Sequence, residues 1–220
     1  MSCFCCSAKR NINTVPDLNL TRILGPLVLS LLILSGCTTN PPRDVDNVCA
    51  IFKEKSGWYD DTRRAYKHHG IPIHVQMAIM RQESNFRAKA KPPRRWIFGI
   101  IPWTRPSSAY GYAQVKQETW DWYMDKRGFW FADRDDFGDA VEFIGWYGKL
   151  SHDTLGISKW DAYKQYLAYH EGQGGFKRKT YLKKKWLVKV ARKVKGQASR
   201  YHTQLARCEK SLQSPWWWPF

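Results

Sequence analysis

The stretch Ile71–Phe86, IPIHVQMAIMRQESNF, constrains the fold of this chain more than any other. Ile71, Val75 and Ile79 recur every four residues, so they share one face of a helix. Gly70 suits the end of a preceding helix. Pro72 suits the first turn of a new one, where its missing N–H costs nothing. The next position in the series is Glu83, so a carboxylate continues an apolar stripe, and Phe86 follows it. Glu is rarely fully buried without a partner. Partial burial raises a carboxyl pKa, which is what a general acid needs near neutral pH. The pattern by itself also fits a glutamate at a frayed helix end, facing water.

At 220 residues the chain is long enough for one domain with a real core. Its formal charge of +17 accompanies 12 Trp, which points to an acidic partner and aromatic contact surfaces. Nucleic acid is one such partner; the anionic polymers and lipids of a bacterial envelope are another. The first forty residues choose between them. Lys9, Arg10 and Arg22 precede an almost wholly apolar run, Ile23–Leu34. That run is too short to span a bilayer comfortably and fits a signal-peptide core. Leu34-Ser35-Gly36-Cys37 follows and resembles a bacterial lipobox, in which Cys37 carries lipid and becomes the mature N-terminus. A plain signal peptide or an N-terminal anchor helix is the alternative. Without residues 1–36 the charge is about +15. Export argues against nucleic acid.

Export also gives the cysteines meaning. Cys3, Cys5 and Cys6 leave with the leader, and Cys37 is the expected lipidation site. Cys49 and Cys208 remain in an oxidising compartment, so a disulfide joining the two ends of the domain is expected. The alternative is two buried free thiols. Organisation follows: a leader at 1–36, a tether at 37–44, a domain at 45–212 and an aromatic tail at 213–220.

Helical spacing is expected around Val45, Val48, Cys49 and Phe52, and again from Trp58 to His69. His68 and His69 are adjacent, so they point to different sides of a helix and read as surface residues rather than metal ligands. Lys91–Pro106, KPPRRWIFGIIPWTRP, holds four prolines and cannot be a regular helix. It is basic and apolar at once. It is expected to wall a groove, to dip into a membrane surface, or to fold back on the core. Asp133, Asp135, Asp136 and Asp139 miss the ligand pattern of a calcium loop and read as helix capping. Helices are expected at Ala140–Leu150 and Asp161–His170. A long basic helical region is expected at Tyr181–Cys208, where Gly196 is a possible break. The tail Ser214–Phe220, SPWWWPF, is compatible with a membrane interface, sugar stacking or disorder.

Three segments resemble the soluble lytic transglycosylases of the lysozyme-like superfamily. Ala78–Phe86, AIMRQESNF, is similar to that family's catalytic helix, with its Glu-Ser pair and following aromatic. Ala109, Gly111 and Gln114 match a second motif, with Tyr112-Ala113 in place of the usual Leu-Met. Ala168, Tyr169, Gly172 and Gly174 match a third, with His170 in place of Asn. The resemblance implies a mostly α-helical, lysozyme-like single domain. It implies Glu83 as catalytic acid and base, and Ser84, Gly111, Tyr112, Gln114, Tyr169 and Glu171 along the sugar groove. It further implies peptidoglycan glycan strands as substrate, cleavage between N-acetylmuramic acid and N-acetylglucosamine, and neither metal nor cofactor. Together with the leader, it places the chain in the bacterial envelope. A lipid anchor there would hold it to a membrane, at the periplasmic face of the outer membrane. Two alternatives remain. One is a hydrolytic muramidase in which Glu171 or an aspartate positions water. The other is an inactive lipoprotein that only binds peptidoglycan.

Overall fold

The computed structural model describes residues 40–94 and 104–213, together with the backbone of 96–97 and 101–102. The expected leader, Cys37 and the tail 214–220 lie outside the described residues. Seven α-helices dominate the described residues: α1 (Val48–Glu54), α2 (Trp58–His69), α3 (Ile73–Ser84), α4 (Gln117–Arg127), α5 (Phe137–Leu155), α6 (Ala162–Lys177) and α7 (Lys185–Gln213). The proline-rich segment contributes two antiparallel strands of two residues each, β1 (Trp96–Ile97) and β2 (Ile101–Pro102).

Helix α3 is the axis of the domain. Every residue from Ile73 to Met80 is buried, which marks a helix enclosed on all sides rather than an amphipathic surface helix. Ile71, Val75 and Ile79 are 0%, 0% and 2% exposed, so the stripe leading to Glu83 is core. Chain punctuation at both ends is local chemistry. Gly70 closes α2 in the left-handed region at φ 74°, its N–H donating to Tyr66 O. Asn85 closes α3 in the same region at φ 53°. Helices α5 and α7 pack against α3, α2 packs on α5, and α6 packs between α5 and α7. On α7 the buried residues Leu187, Ala191, Val194, Ala198, Tyr201 and Leu205 alternate steps of four and three, giving one apolar seam. The lysines between them face outward.

Several expectations need correction. Helix α7 starts at Lys185, after a 3-10 turn at Thr180–Lys183, and runs through Gly196 without a break. Helix α4 was not expected. Its core residues Trp120 and Tyr123 are offset by Trp122 on the exposed side, so no apolar face stands out. His69 is buried at 3% exposure rather than on the surface, and it meets Glu142 of α5 together with His68. The acidic cluster does cap: Asp136 is the N-cap of α5, its side chain accepting from Asp139 N at 2.9 Å. Cys49 on α1 and Cys208 on α7 form a disulfide across a sequence separation of 159. No helix among the described residues is long and apolar enough to cross a membrane.

Candidate active site

Glu83 sits on the last turn of α3 and lines a cleft of about 650 Å³. The residue is partly buried and borders the cleft. Apolar and aromatic side chains crowd the rest of it. Burial raises its pKa from 4.5 to about 7, even though a hydrogen bond from Tyr166 favours the ionised form. The Tyr166 hydroxyl is held protonated by its own burial and by the adjacent carboxylate. It is therefore a fixed donor to Glu83.

Two helices build the aromatic wall. Phe143 and Tyr147 lie one turn apart on α5, and Tyr166 and Tyr169 lie three residues apart on α6. Tyr169 packs edge-on against Tyr147 at 5.5 Å and against Phe143 at 6.2 Å. The Tyr169 hydroxyl donates to Ala113 O at 2.6 Å. It thus braces the second motif against α6, and the ring stays beside Glu83.

The second motif is a tight turn framed by the bridge between Tyr110 and Val115. Gly111 is there for a steric reason. Its φ is 80°, and a Cβ would fall 1.9 Å from Arg134 O. The Gly111 N–H donates to Ala90 O at 3.0 Å, and the Gln114 amide donates to Ala90 O and Gly111 O at 2.9 Å each. The turn is therefore stitched to the segment that follows α3. Behind it, Tyr112 packs on Trp58, which stacks on Phe137.

Glu171 also reaches the cleft, but in a different state. Its side chain is 3% exposed, and burial by itself would raise its pKa. Hydrogen bonds from Lys184 at 2.7 Å, from Thr180 and from His170 outweigh that and hold it at about 2. It is an ionised carboxylate that accepts three hydrogen bonds. Gly172, at φ 72° and ψ 162°, breaks the helical path of α6 just after it. Glu171 borders the same cleft as Tyr169 although residues two apart on a helix diverge, and beyond the break the chain brings Thr180 and Lys184 onto its carboxylate.

Of the residues expected along the groove, Glu83, Gln114, Tyr169 and Glu171 line the cleft. Ser84, Gly111 and Tyr112 do not. Ser84 is 1% exposed, with its hydroxyl donating to Met80 O at 3.4 Å. Tyr112 is 5% exposed and turned into the core. The positive φ of Gly111 reverses the chain, so the residue after it points inward. Sequence reasoning missed Tyr166, whose signal was its place one turn before Tyr169. It also missed Lys116, Phe143, Tyr147 and Lys184 on the walls.

The model of the transglycosylase SLT domain matches residues 26–208 of the chain. Neither a curated protein nor a solved structure gives a significant match. The matched span covers every element from α1 to the disulfide cysteine of α7, and it includes the cleft and its single half-buried, proton-holding glutamate. On that match and this mostly helical frame, the chain belongs to the SLT transglycosylase family of lysozyme-like domains.

Proposed function

We propose that the chain is a peptidoglycan lytic transglycosylase that cuts the bond between N-acetylmuramic acid and N-acetylglucosamine and leaves a 1,6-anhydro end. The observation that carries this is the pairing of one carboxyl near pKa 7 with one locked carboxylate in the same cleft. Protonated Glu83 gives its proton to the glycosidic oxygen as C1 gains oxocarbenium character. The substrate's own N-acetyl group stabilises C1. Glu83, now a carboxylate, takes the proton of the muramic C6 hydroxyl, and that oxygen closes on C1. The residue returns to its starting state, and no second carboxylate is used. A water-activating base would need free lone pairs and a pKa near the working pH. Glu171 already accepts three hydrogen bonds and its pKa of about 2 lies far below the working pH, which favours the anhydro route over a hydrolytic one.

Mass spectrometry of digested sacculi tests the product. Anhydro muropeptides should dominate, and Glu171→Gln should keep activity within ~3-fold when corrected for folded protein. Reducing muramic ends as the main product, or an inactive but folded Glu171→Gln, would move the assignment to a two-carboxylate muramidase. No turnover at all of sacculi by the intact chain would leave only a binding lipoprotein. The anchor belongs to the same proposal. A leader ending at Gly36 and a lipidated Cys37 would hold the domain at the envelope, and palmitate labelling that persists in Cys37→Ala would refute it.

Tyr166 is a positioning residue in this scheme. Removing its hydroxyl withdraws a hydrogen bond that favours the ionised carboxyl, so the pKa of Glu83 rises further. Tyr166→Phe should therefore shift the alkaline limb of the pH–rate profile upward by ~0.5–1 unit, with a lower maximal rate from a less oriented acid. A purely structural tyrosine would lower the rate and leave the limb in place.

A further inference from the structure

The C-terminal turn of α2 brings His68 and His69 against α5, on a face that contributes none of the residues lining the cleft. His68 Nδ1 lies 3.2 Å and His69 Nε2 lies 2.8 Å from one oxygen, Oε1 of Glu142. One ligand atom from each of the three residues lies within 4.8 Å of the others. Adjacent residues on a helix ordinarily diverge. Here the last turn before Gly70 lets one ring pass inside and the other outside, and both reach the same carboxylate. His69 is fixed by close packing: a Cβ on Gly145 would lie 2.9 Å from its Cδ2. His68 is half-exposed and opens to a surface pocket of about 280 Å³, which gives an entry path.

The geometry points to a divalent transition-metal site of the zinc class, formed by His68 Nδ1, His69 Nε2 and the Glu142 carboxylate, with solvent in the remaining position. Two imidazoles and one carboxylate are a common ligand set for zinc. Zinc–ligand bonds of about 2.0–2.1 Å put tetrahedral donors about 3.3 Å apart. The two nitrogen–oxygen distances lie close to that value, and the two ring nitrogens, within 4.8 Å of each other, must draw together around the ion. Magnesium and calcium, which take six or more oxygen ligands, are excluded by the same donor set. Two cations border the site. Arg127 also contacts Glu142 Oε1, at 3.3 Å, and Lys149 lines the pocket while pairing with Asp153. Arg127 must give up or share that oxygen, so it opposes the ion and lowers its affinity. A bound ion would tie the end of α2 to α5, the helix that carries Phe143 and Tyr147 into the cleft.

Zinc chloride titrated into the chelator-stripped chain tests this, by calorimetry and by thermal unfolding, with magnesium chloride as control. One zinc ion per chain is expected, with a melting rise of ~3 °C or more at saturation. Magnesium should do neither. His68→Ala, at a half-exposed position that folding tolerates, and Glu142→Gln should each weaken zinc binding by at least ~10-fold. Arg127→Met should tighten it. His202→Ala, which alters the separate His74–His202 ring pair, should leave it unchanged. Failure of zinc to bind below about 1 mM, or binding unaltered in His68→Ala, would overturn the site.

Discussion

Glu83→Gln is expected to abolish cleavage of sacculi and, above neutral pH, to make the folded domain more stable than the parent. The activity loss follows from the chemistry. One carboxyl gives the proton to the leaving oxygen and later takes one from the C6 hydroxyl, and an amide does neither. General acid–base catalysis contributes about 10²–10⁴-fold per group, and both roles fall on this residue. A residual rate below ~0.1% of the parent is expected. The stability gain follows from the burial that makes the acid useful. The folded pKa of about 7 stands above the value of 4.5 for the exposed group. Between those values the native state binds the proton that the unfolded chain has released. Glu83 therefore contributes its full stability below about pH 4.5 and loses it as pH rises through about 7. At pH 8 the native domain holds a poorly solvated anion at a cost of order ~3 kcal/mol. Gln fits the same space without charge and still accepts the Tyr166 hydrogen bond. Urea unfolding should find the variant more stable at pH 8 and nearly equal to the parent at pH 4. A gain that does not vary with pH would show that burial of charge is not its origin. Near-normal cleavage would remove Glu83 from the mechanism.

That coupling shows why the centre of the site was legible and its walls were not. The stripe of Ile71, Val75 and Ile79 has the helix period, so the position of Glu83 at its end follows from arithmetic on one element. The walls come from elements that meet only in three dimensions. Phe143 and Tyr147 on α5, Tyr166 on α6 and Lys184 beyond the 3-10 turn share no local pattern with α3. Tyr166 carried a local signal, since it precedes Tyr169 by three residues and must share its face. Adjacency within a motif misled in two places. Ser84 follows Glu83 and so turns about a quarter of the way around α3, into the core. Tyr112 follows a glycine at positive φ and is sent to the opposite side from the cleft. For Glu171 the outcome depended on whether the helix persists past Gly172. The φ of 72° at Gly172 ends the regular helix there, and the partners that hold Glu171, Thr180 and Lys184, come from the chain beyond it, which no local pattern announces. Helix α4 was hidden because aromatic residues on both its faces cancel the periodic signal.

Loss of the Cys49–Cys208 bridge is expected to be the most costly covalent change in the domain. The bridge joins α1 to α7 across a separation of 159 residues, and the matching chain-entropy term is about 5 kcal/mol. Measured losses for native bridges run at about 2–5 kcal/mol, so ~3–5 is expected for Cys49→Ser with Cys208→Ser. The fold should survive, because the same ends are held independently. The Val48 N–H donates to Gln204 Oε1 at 2.9 Å, Gln204 Nε2 donates to Asp46 O at 3.1 Å, and the Tyr201 hydroxyl donates to Val45 O. Tyr59 on α2 adds a hydrogen bond to Glu209 at 3.1 Å. These contacts form only in the native state, whereas the bridge acts mainly by restricting the unfolded chain. The double variant should therefore give a native-like circular dichroism spectrum and a melting temperature lower by ~10 °C. Its urea m-value should be larger than the parent's, because an unbridged chain exposes more surface when it unfolds. Reducing agent should lower the parent to the same midpoint and leave the variant unmoved. An unchanged midpoint in the reduced parent would mean that the contacts at Gln204, Tyr201 and Tyr59 hold the two ends without help from the bridge.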